Sequence, residues 1–164
     1  MTAPEVEAAK ALLKKGRSSD AIRILQQAEA RSPKDPEVLL ELAAIYSFLG
    51  MPAMAVEYER RATKIDASLP EVWNAMGSDL HRIGDLARSA GAYRRALELD
   101  PGLATAAYNL ARVSAQRGER KEASDALSRA LALKPELAEA ARREETLAKL
   151  LDEAGLRKRP RRQP

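Results

Sequence analysis

The sequence repeats itself with a period of 34 residues, and this period constrains the fold more than any other feature. Small residues, glycines and prolines return at this spacing in five columns. The columns are Gly16, Gly50, Gly84 and Gly118; Ala21, Ala55, Ser89 and Ala123; Ala28, Ala62, Ala96 and Ala130; Pro33, Ala67, Pro101 and Pro135; and Ala9, Ala43, Gly77 and Ala111. Five columns that agree over four periods indicate a repeat architecture.

One period contains two helical patterns separated by a glycine. In residues 70–83 the apolar side chains recur every three or four residues, which is the spacing of one helical face. Gly84 is predicted to end this helix, because glycine adopts positive φ without steric cost. Pro101 prevents the next helix, predicted over 86–99, from continuing. Each period is therefore predicted to be a helix–turn–helix hairpin that buries its apolar faces by stacking on its neighbours.

This pattern resembles the tetratricopeptide repeat family over residues 2–137. The likeness is strongest where seven residues stand at the family's signature spacings: Trp73, Gly77, Leu80, Gly84, Tyr93, Ala96 and Pro101. Glu5 stands in the tryptophan column of the first repeat, and Glu59 stands in the second repeat where an aromatic residue is usual. The resemblance implies an all-α fold, a right-handed α-solenoid of stacked antiparallel helix pairs.

The predicted organisation is a single domain over residues 2–154 followed by a tail. The repeats cover about 2–35, 36–69, 70–103 and 104–137, a capping helix covers about 136–154, and a disordered basic tail covers 155–164. Glu144 and Glu145 stand one period after Leu110 and Ala111, where a further repeat would have to bury them. Burying two unpaired carboxylates is costly, so the last helix is predicted to present a solvated face that ends the array.

The positive charge of the chain belongs to its tail. The formal net charge is +4, and the last ten residues, GLRKRPRRQP, carry five basic groups and no acidic one. The remaining chain has 23 basic and 24 acidic residues, so the clustered Lys and Arg of a nucleic-acid-binding surface are not indicated. We predict no specific nucleic-acid partner, and only weak, salt-dependent contacts of the tail with anionic surfaces.

No constellation of residues indicates catalysis. The chain has no cysteine and one histidine, His81, and it contains neither a metal-binding spacing nor a glycine-rich phosphate loop. We predict a protein that is not an enzyme, with no catalytic residue, metal or cofactor. No stretch approaches the roughly 20 apolar residues that span a bilayer. A cytoplasmic location is expected, or a periplasmic or membrane-associated one if the natural chain starts upstream of Met1.

The resemblance implies that a partner segment binds in a concave groove lined by the first helix of each repeat. The N-terminal half of this groove offers apolar anchors, and its C-terminal half offers amide and guanidinium donors. Because arginine binds carboxylates through two parallel hydrogen bonds, the expected ligand is an acidic segment or a C-terminal carboxylate. The predicted groove residues are Leu40, Phe48, Asn74, Ser78, Arg82, Tyr108, Asn109, Arg112, Arg142 and Arg143.

The groove does not match the Hsp70/Hsp90 carboxylate-clamp subclass, because Glu41 and Glu71 replace an expected Asn and Lys. The leading function is a scaffold or adaptor that binds a peptide segment, and bacterial relatives of this kind serve in pilus, secretion, envelope or organelle assembly. A self-assembling structural protein, oligomerising through its uncapped N-terminal end or its groove, is an alternative. So is a regulatory module of a larger multidomain protein. The groove arginines have an alternative role too, which is to pair with Glu139 and Glu145 and bind no ligand.

Overall fold

The computed structural model of this chain describes residues 4–153, and all regular secondary structure in this range is helical. The helices are α1 (Pro4–Lys14), α2 (Ser18–Arg31), α3 (Pro36–Phe48), α4 (Pro52–Ile65), α5 (Pro70–Arg82), α6 (Leu86–Leu99), α7 (Ala104–Gln116), α8 (Arg120–Leu133), α9 (Leu137–Arg143) and α10 (Glu145–Glu153). The all-α class is confirmed. The predicted tail, 155–164, lies outside the described residues.

The repeat glycines end the first helix of each pair. Gly16, Gly50, Gly84 and Gly118 have φ angles of +72°, +76°, +82° and +77°. Only glycine adopts this left-handed region without strain. After α3, the amide of Gly50 donates to the carbonyl oxygen of Ser47 (3.1 Å), and that of Met51 donates to Tyr46 (2.9 Å). These two bonds form a Schellman motif, which satisfies the last carbonyl groups of the helix.

The chain forms two compact units, and the first ends at Asp85. This unit contains α1 to α5, and its buried alanines belong to the repeat columns identified in the sequence. Their small side chains let neighbouring helices approach closely. Larger residues such as Leu25, Leu39 and Leu42 are fully buried between these helices. The rings of Tyr46 and Tyr58 stack with centroids 5.5 Å apart, which joins α3 to α4.

The second unit begins at Leu86 and contains α6 to α10. Three of its helices meet at one carboxylate. Both Nε and Nη2 of Arg94 in α6 donate to Glu122 in α8 (2.6 and 2.8 Å), and Ser114 Oγ in α7 donates to the same carboxylate (2.6 Å). The hydrogen bonds from Arg94 are the main reason why the pKa of Glu122 is lowered to about 2.

The segment predicted as one capping helix is instead two helices, α9 and α10. They are separated by Glu144, whose backbone is extended (φ −100°, ψ 113°). The carboxylate of Glu144 accepts hydrogen bonds from Tyr108 Oη and Arg112 Nε of α7, both at 2.8 Å. Glu145 is exposed whereas Glu144 is half-buried, so the predicted solvated face applies to Glu145 only. The break in the helix thus occurs at the residue that pairs with α7. After the break, α10 buries three leucines in this unit.

Candidate partner-binding groove

A pocket of about 490 Å³ opens on the first unit, lined by helices α3, α4 and α5. Its walls are mostly apolar. Phe48 lies at the rim and is 83% exposed, although it is a large apolar side chain. The lining residues are Leu40, Ala43, Ala44, Ser47, Phe48, Glu59, Glu71, Val72, Ala75, Ser78 and Asp79.

Two buried carboxyl groups line this pocket. Glu59 of α4 is 3% exposed, and Asp79 of α5 is 2% exposed. The Oδ1 atom of Asp79 accepts hydrogen bonds from Ser47 Oγ (2.9 Å) and Arg82 Nη1 (2.8 Å). In contrast, Oε2 of Glu59 has no hydrogen-bond partner among residues 4–153. The two acids therefore have different environments: Asp79 is compensated by Arg82, whereas Glu59 has one oxygen without a partner.

Burial raises the pKa of Glu59 from 4.5 to about 8, and the negative charge of Asp79 contributes a smaller part of this rise. Removing a carboxylate from water penalises its charged form, so the protonated form of Glu59 is favoured at neutral pH. Carboxyl groups perturbed by burial and by a neighbouring charge are concentrated at functional sites. The pocket therefore combines mostly apolar walls with a buried carboxyl group whose charged form is disfavoured.

Four predicted groove residues lie at or beside this pocket. Leu40, Phe48 and Ser78 line it, and Arg82 reaches its edge through Ser47 and Asp79. Asn74 accepts a hydrogen bond at its backbone oxygen from Ser78 Oγ (3.2 Å). The side-chain oxygen of Asn74 is buried, with no hydrogen-bond partner in the described part of the chain. The structure places these residues, while their role in binding stays a prediction.

The other predicted groove residues belong to the second unit, where ion pairs already engage two of the arginines. Arg112 binds Glu144, as does Tyr108, and Arg142 binds Glu139 at 2.6 Å. Burial, followed by the hydrogen bond to Glu144, raises the pKa of the Tyr108 hydroxyl.

The alternative prediction for the groove arginines was that they pair with Glu139 and Glu145. Arg142 does pair with Glu139. Among the described residues, however, Glu145 is not the partner of a groove arginine. Glu145 pairs with Lys149 (2.7 Å), and Arg112 is paired with Glu144 instead. Of the remaining groove residues, Arg143 is exposed and Asn109 is half-buried.

A sequence profile of the tetratricopeptide repeat family matches residues 5–78, and a second profile of the same family matches residues 74–138. The chain belongs to the tetratricopeptide repeat family. The two matches together cover most of the chain, so the family resemblance noted in the sequence is confirmed. A search of curated protein sequences gives no significant match.

Solved tetratricopeptide structures share this fold. MamA is 26% identical, with 91% of this chain and 85% of that chain covered and a TM-score of 0.82. YrrB, described as a TPR protein with an unusual peptide-binding site, is 16% identical over 94% of this chain and 84% of that one, with a TM-score of 0.79. The first TPR domain of Spaghetti (RPAP3), bound to the HSP90 peptide SRMEEVD, is 22% identical over 70% and 90%, with a TM-score of 0.66. Family and fold are those of protein–protein interaction scaffolds.

Glu59 and Asp79 were not predicted as site residues, although the tetratricopeptide pattern contains a signal for Glu59. Glu59 occupies a position where the family usually has an aromatic residue, and the structure shows that this departure lies in the pocket. Asp79 precedes Arg82 by three residues, about one helical turn, so the two side chains can pair. Asp79 is buried, whereas the Arg82 side chain that pairs with it is partly exposed. None of the helices in the described residues is long and apolar enough to cross a membrane.

Proposed function

We propose that this tetratricopeptide protein is a non-enzymatic scaffold that holds an extended segment of a partner protein against the pocket of its first unit. The observation that carries the proposal is the open apolar pocket with Phe48 exposed at its rim. Covering an exposed phenyl ring with a partner removes apolar surface from water, which lowers the free energy of the complex. Exposed apolar surfaces of this kind mark interaction sites. The volume of about 490 Å³ suits one or two inserted side chains.

A photo-crosslinking amino acid at Phe48 tests this function in cells of the native host. Position Met54 serves as the control, because it is also an exposed apolar residue of the first unit but does not line the pocket. We expect one crosslinked partner segment, mapped by mass spectrometry, from position 48 and none from position 54. Adding Ala44→Arg, which fills the pocket, should abolish the product. Equal crosslinking from both positions, or a product that survives the filled pocket, would contradict the proposal.

An acidic segment or a C-terminal carboxylate is the second candidate ligand, and it concerns the second unit. The candidate is supported by the hydrogen bonds that Tyr108 and Arg112 donate to one carboxylate of the chain, that of Glu144. An acidic ligand would have to displace Glu144 from Arg112 and Glu139 from Arg142. Capture of the partner should then be lost in the double variant Arg112→Glu with Arg142→Glu, while helicity measured by circular dichroism is retained. Undiminished capture would exclude this candidate.

Several expectations from the sequence stay predictions. They are a cytoplasmic location, a setting in bacterial assembly, homo-oligomerisation through the N-terminal end or the groove, and membership of a larger multidomain protein. Sedimentation velocity over a hundredfold range of concentration separates a monomeric scaffold from a self-assembling protein, because only the latter shifts its sedimentation coefficient with concentration.

A further inference from the structure

Glu59 has a buried polar atom without a hydrogen-bond partner at the pocket of the first unit. The residue lines the pocket and is 3% exposed, and its Oε2 atom has no partner in the range 4–153. Leaving a buried polar group without a hydrogen bond costs free energy, and native structures contain few such groups. A bound group that forms a hydrogen bond with this carboxyl group would remove the cost. The pocket therefore has an unused hydrogen-bonding position.

The surroundings of Glu59 make this position a donor. None of the lining residues that the structure describes is basic, and the guanidinium group of Arg82 already lies 2.8 Å from Oδ1 of Asp79. Burial, and to a smaller extent the charge of Asp79, raises the pKa of Glu59 to about 8. A protonated carboxyl group carries one O–H donor. Near neutral pH the position therefore suits an acceptor oxygen of a ligand.

The other lining residues disfavour a charged ligand. A carboxylate in the pocket would lie near Glu71 and Asp79 and would be removed from water without a cation to pair with. A lysine or arginine side chain would find Asp79 already paired and Glu59 uncharged. Leu40 and Val72 belong to the apolar part of the lining. An uncharged ligand with an apolar side chain and one acceptor oxygen fits these walls.

We infer that the pocket takes a leucine-like side chain of an extended partner segment, and that the Glu59 carboxyl group donates a hydrogen bond to a main-chain carbonyl oxygen of the same segment. The side chain of the ligand packs against Leu40 and Val72. Because the terminal torsion of a glutamate side chain is broad, its O–H group turns to the ligand without rotamer strain. The inference rests on the proposed use of this pocket as a binding site and names the chemistry of its ligand.

A main-chain carbonyl fits this position better than the side-chain amide of asparagine or glutamine. The NH2 group of such a side chain brings two donors that need acceptors within the pocket. Oδ1 of Asp79 already accepts hydrogen bonds from Ser47 Oγ (2.9 Å) and Arg82 Nη1 (2.8 Å). In a trans peptide group the C=O and N–H bonds point in opposite directions. The N–H group therefore stays in water when the carbonyl oxygen faces Glu59.

Binding of this ligand should weaken at alkaline pH, because only the protonated carboxyl group donates. The charged groups that line the pocket around Glu59 are Glu71 and Asp79, with Arg82 bound to Asp79, all from α5, whereas the lining residues of α3 are uncharged. With a pKa of about 8, the protonated fraction of Glu59 falls from nearly all at pH 6 to about a tenth at pH 9. The affinity should fall about tenfold over this range. It should respond little to salt, because the ligand is uncharged.

The test compares small probes that share one leucine-like tail and differ in the head group. The first is N-methyl-4-methylpentanamide, a secondary amide that imitates a main-chain peptide group. The others are the primary amide 4-methylpentanamide, the anion 4-methylpentanoate and the cation 4-methylpentylammonium. Each probe is titrated into the full-length chain, and ¹³C NMR follows the Cδ signal of Glu59, with exposed Glu57 of the same helix as an internal control. The methyl signals of Val72 serve for variants that lack Glu59.

At pH 6 we expect the secondary amide to shift the Glu59 signal saturably, with an affinity on the order of millimolar for a probe of this size. It should bind at least fivefold more tightly than either charged probe. Glu59→Met keeps an unbranched side chain without a donor, so it should weaken binding of the secondary amide at least fivefold. Glu59→Gln should remove the fall in affinity between pH 6 and pH 9, because a carboxamide donates at every pH. Glu57→Gln is the matched control and should keep that fall.

Equal affinities of the secondary amide and the cation would overturn the inference, as would a Glu59→Met variant that binds the amide as tightly as the wild type. Tighter binding of the primary amide would overturn it too, because a side-chain amide would then be the ligand. So would the absence of a saturable shift of the Glu59 signal with the secondary amide. In these cases a crosslink from position 48 to a host protein would still uphold the proposed function. Loss of that crosslink, with amide binding at Glu59 intact, would count against the proposed function instead.

Discussion

Replacing Glu59 with glutamine should stabilise the protein relative to the wild type, and this difference in the free energy of unfolding should grow as the pH rises. The raised pKa of Glu59 sets the size of the difference. The folded state raises the pKa of Glu59 from 4.5 to about 8, so folded protein holds this proton where unfolded protein has lost it. Stability from this group is unaffected below pH 4.5 and falls as the pH rises from there to about 8. At about 1.36 kcal/mol per pH unit, the wild type should lose about 3 kcal/mol between pH 4.5 and pH 7 that Glu59→Gln retains.

Urea unfolding at a series of pH values, followed by circular dichroism, measures this difference. The quantity of interest is the free energy of unfolding of Glu59→Gln minus that of the wild type. It should rise from pH 4.5 to pH 8 and then level off. Glu57→Gln, on the exposed side of the same helix, should not reproduce the rise. Curves for Glu59→Gln and wild type that run parallel over this range would refute the reasoning, since Glu59 would then be ionised in the folded protein.

Three further substitutions, two of them with a control substitution, test other parts of the structure. Gly50→Ala should cost about 1–2 kcal/mol in urea unfolding, because its φ is +76°, whereas Gly91→Ala, within α6 and with open space around it, should be neutral or stabilising. Glu144→Gln should cost about 1–3 kcal/mol and speed hydrogen exchange in α10, whereas exposed Glu145→Gln should change neither measurably. Glu122→Gln should remove a loss of stability that the wild type shows as the pH falls from 4.5 towards 2, because the pKa of Glu122 is lowered to about 2. A wild-type stability that does not fall over that acidic range would contradict the ion pair with α6.

The helix pairs could be predicted from the sequence because their signals are local. A glycine ends a helix through its own positive φ, and a proline ends the next helix through its own ring. Neither effect depends on distant residues, so positions that recur every 34 residues are enough to identify both helix ends. The positive φ of each repeat glycine confirms this reasoning. Leu40 and Phe48, which the family resemblance implied for the groove, line the pocket of the first unit, and their role in binding stays a prediction.

The acids of the pocket and the break in the last helical segment depend on distant partners. Glu59 and Asp79 are 20 positions apart, and their burial follows from how α4 packs on α5, which no local pattern specifies. The break at Glu144 accompanies pairing with Arg112, 32 positions earlier. In the sequence Glu144 and Glu145 look equivalent, and only the position of α7 separates a bound carboxylate from a solvated one.

Hydrogen exchange of the full-length chain, with and without the partner segment captured at position 48, tests the central claim most directly. If the pocket of the first unit holds that segment, amides of α3 (Pro36–Phe48) and α5 (Pro70–Arg82) should exchange at least several-fold more slowly in the complex. Amides of α8 (Arg120–Leu133) should be unchanged. Slowed exchange confined to α7 and α9, with α3 and α5 unaffected, would contradict the claim.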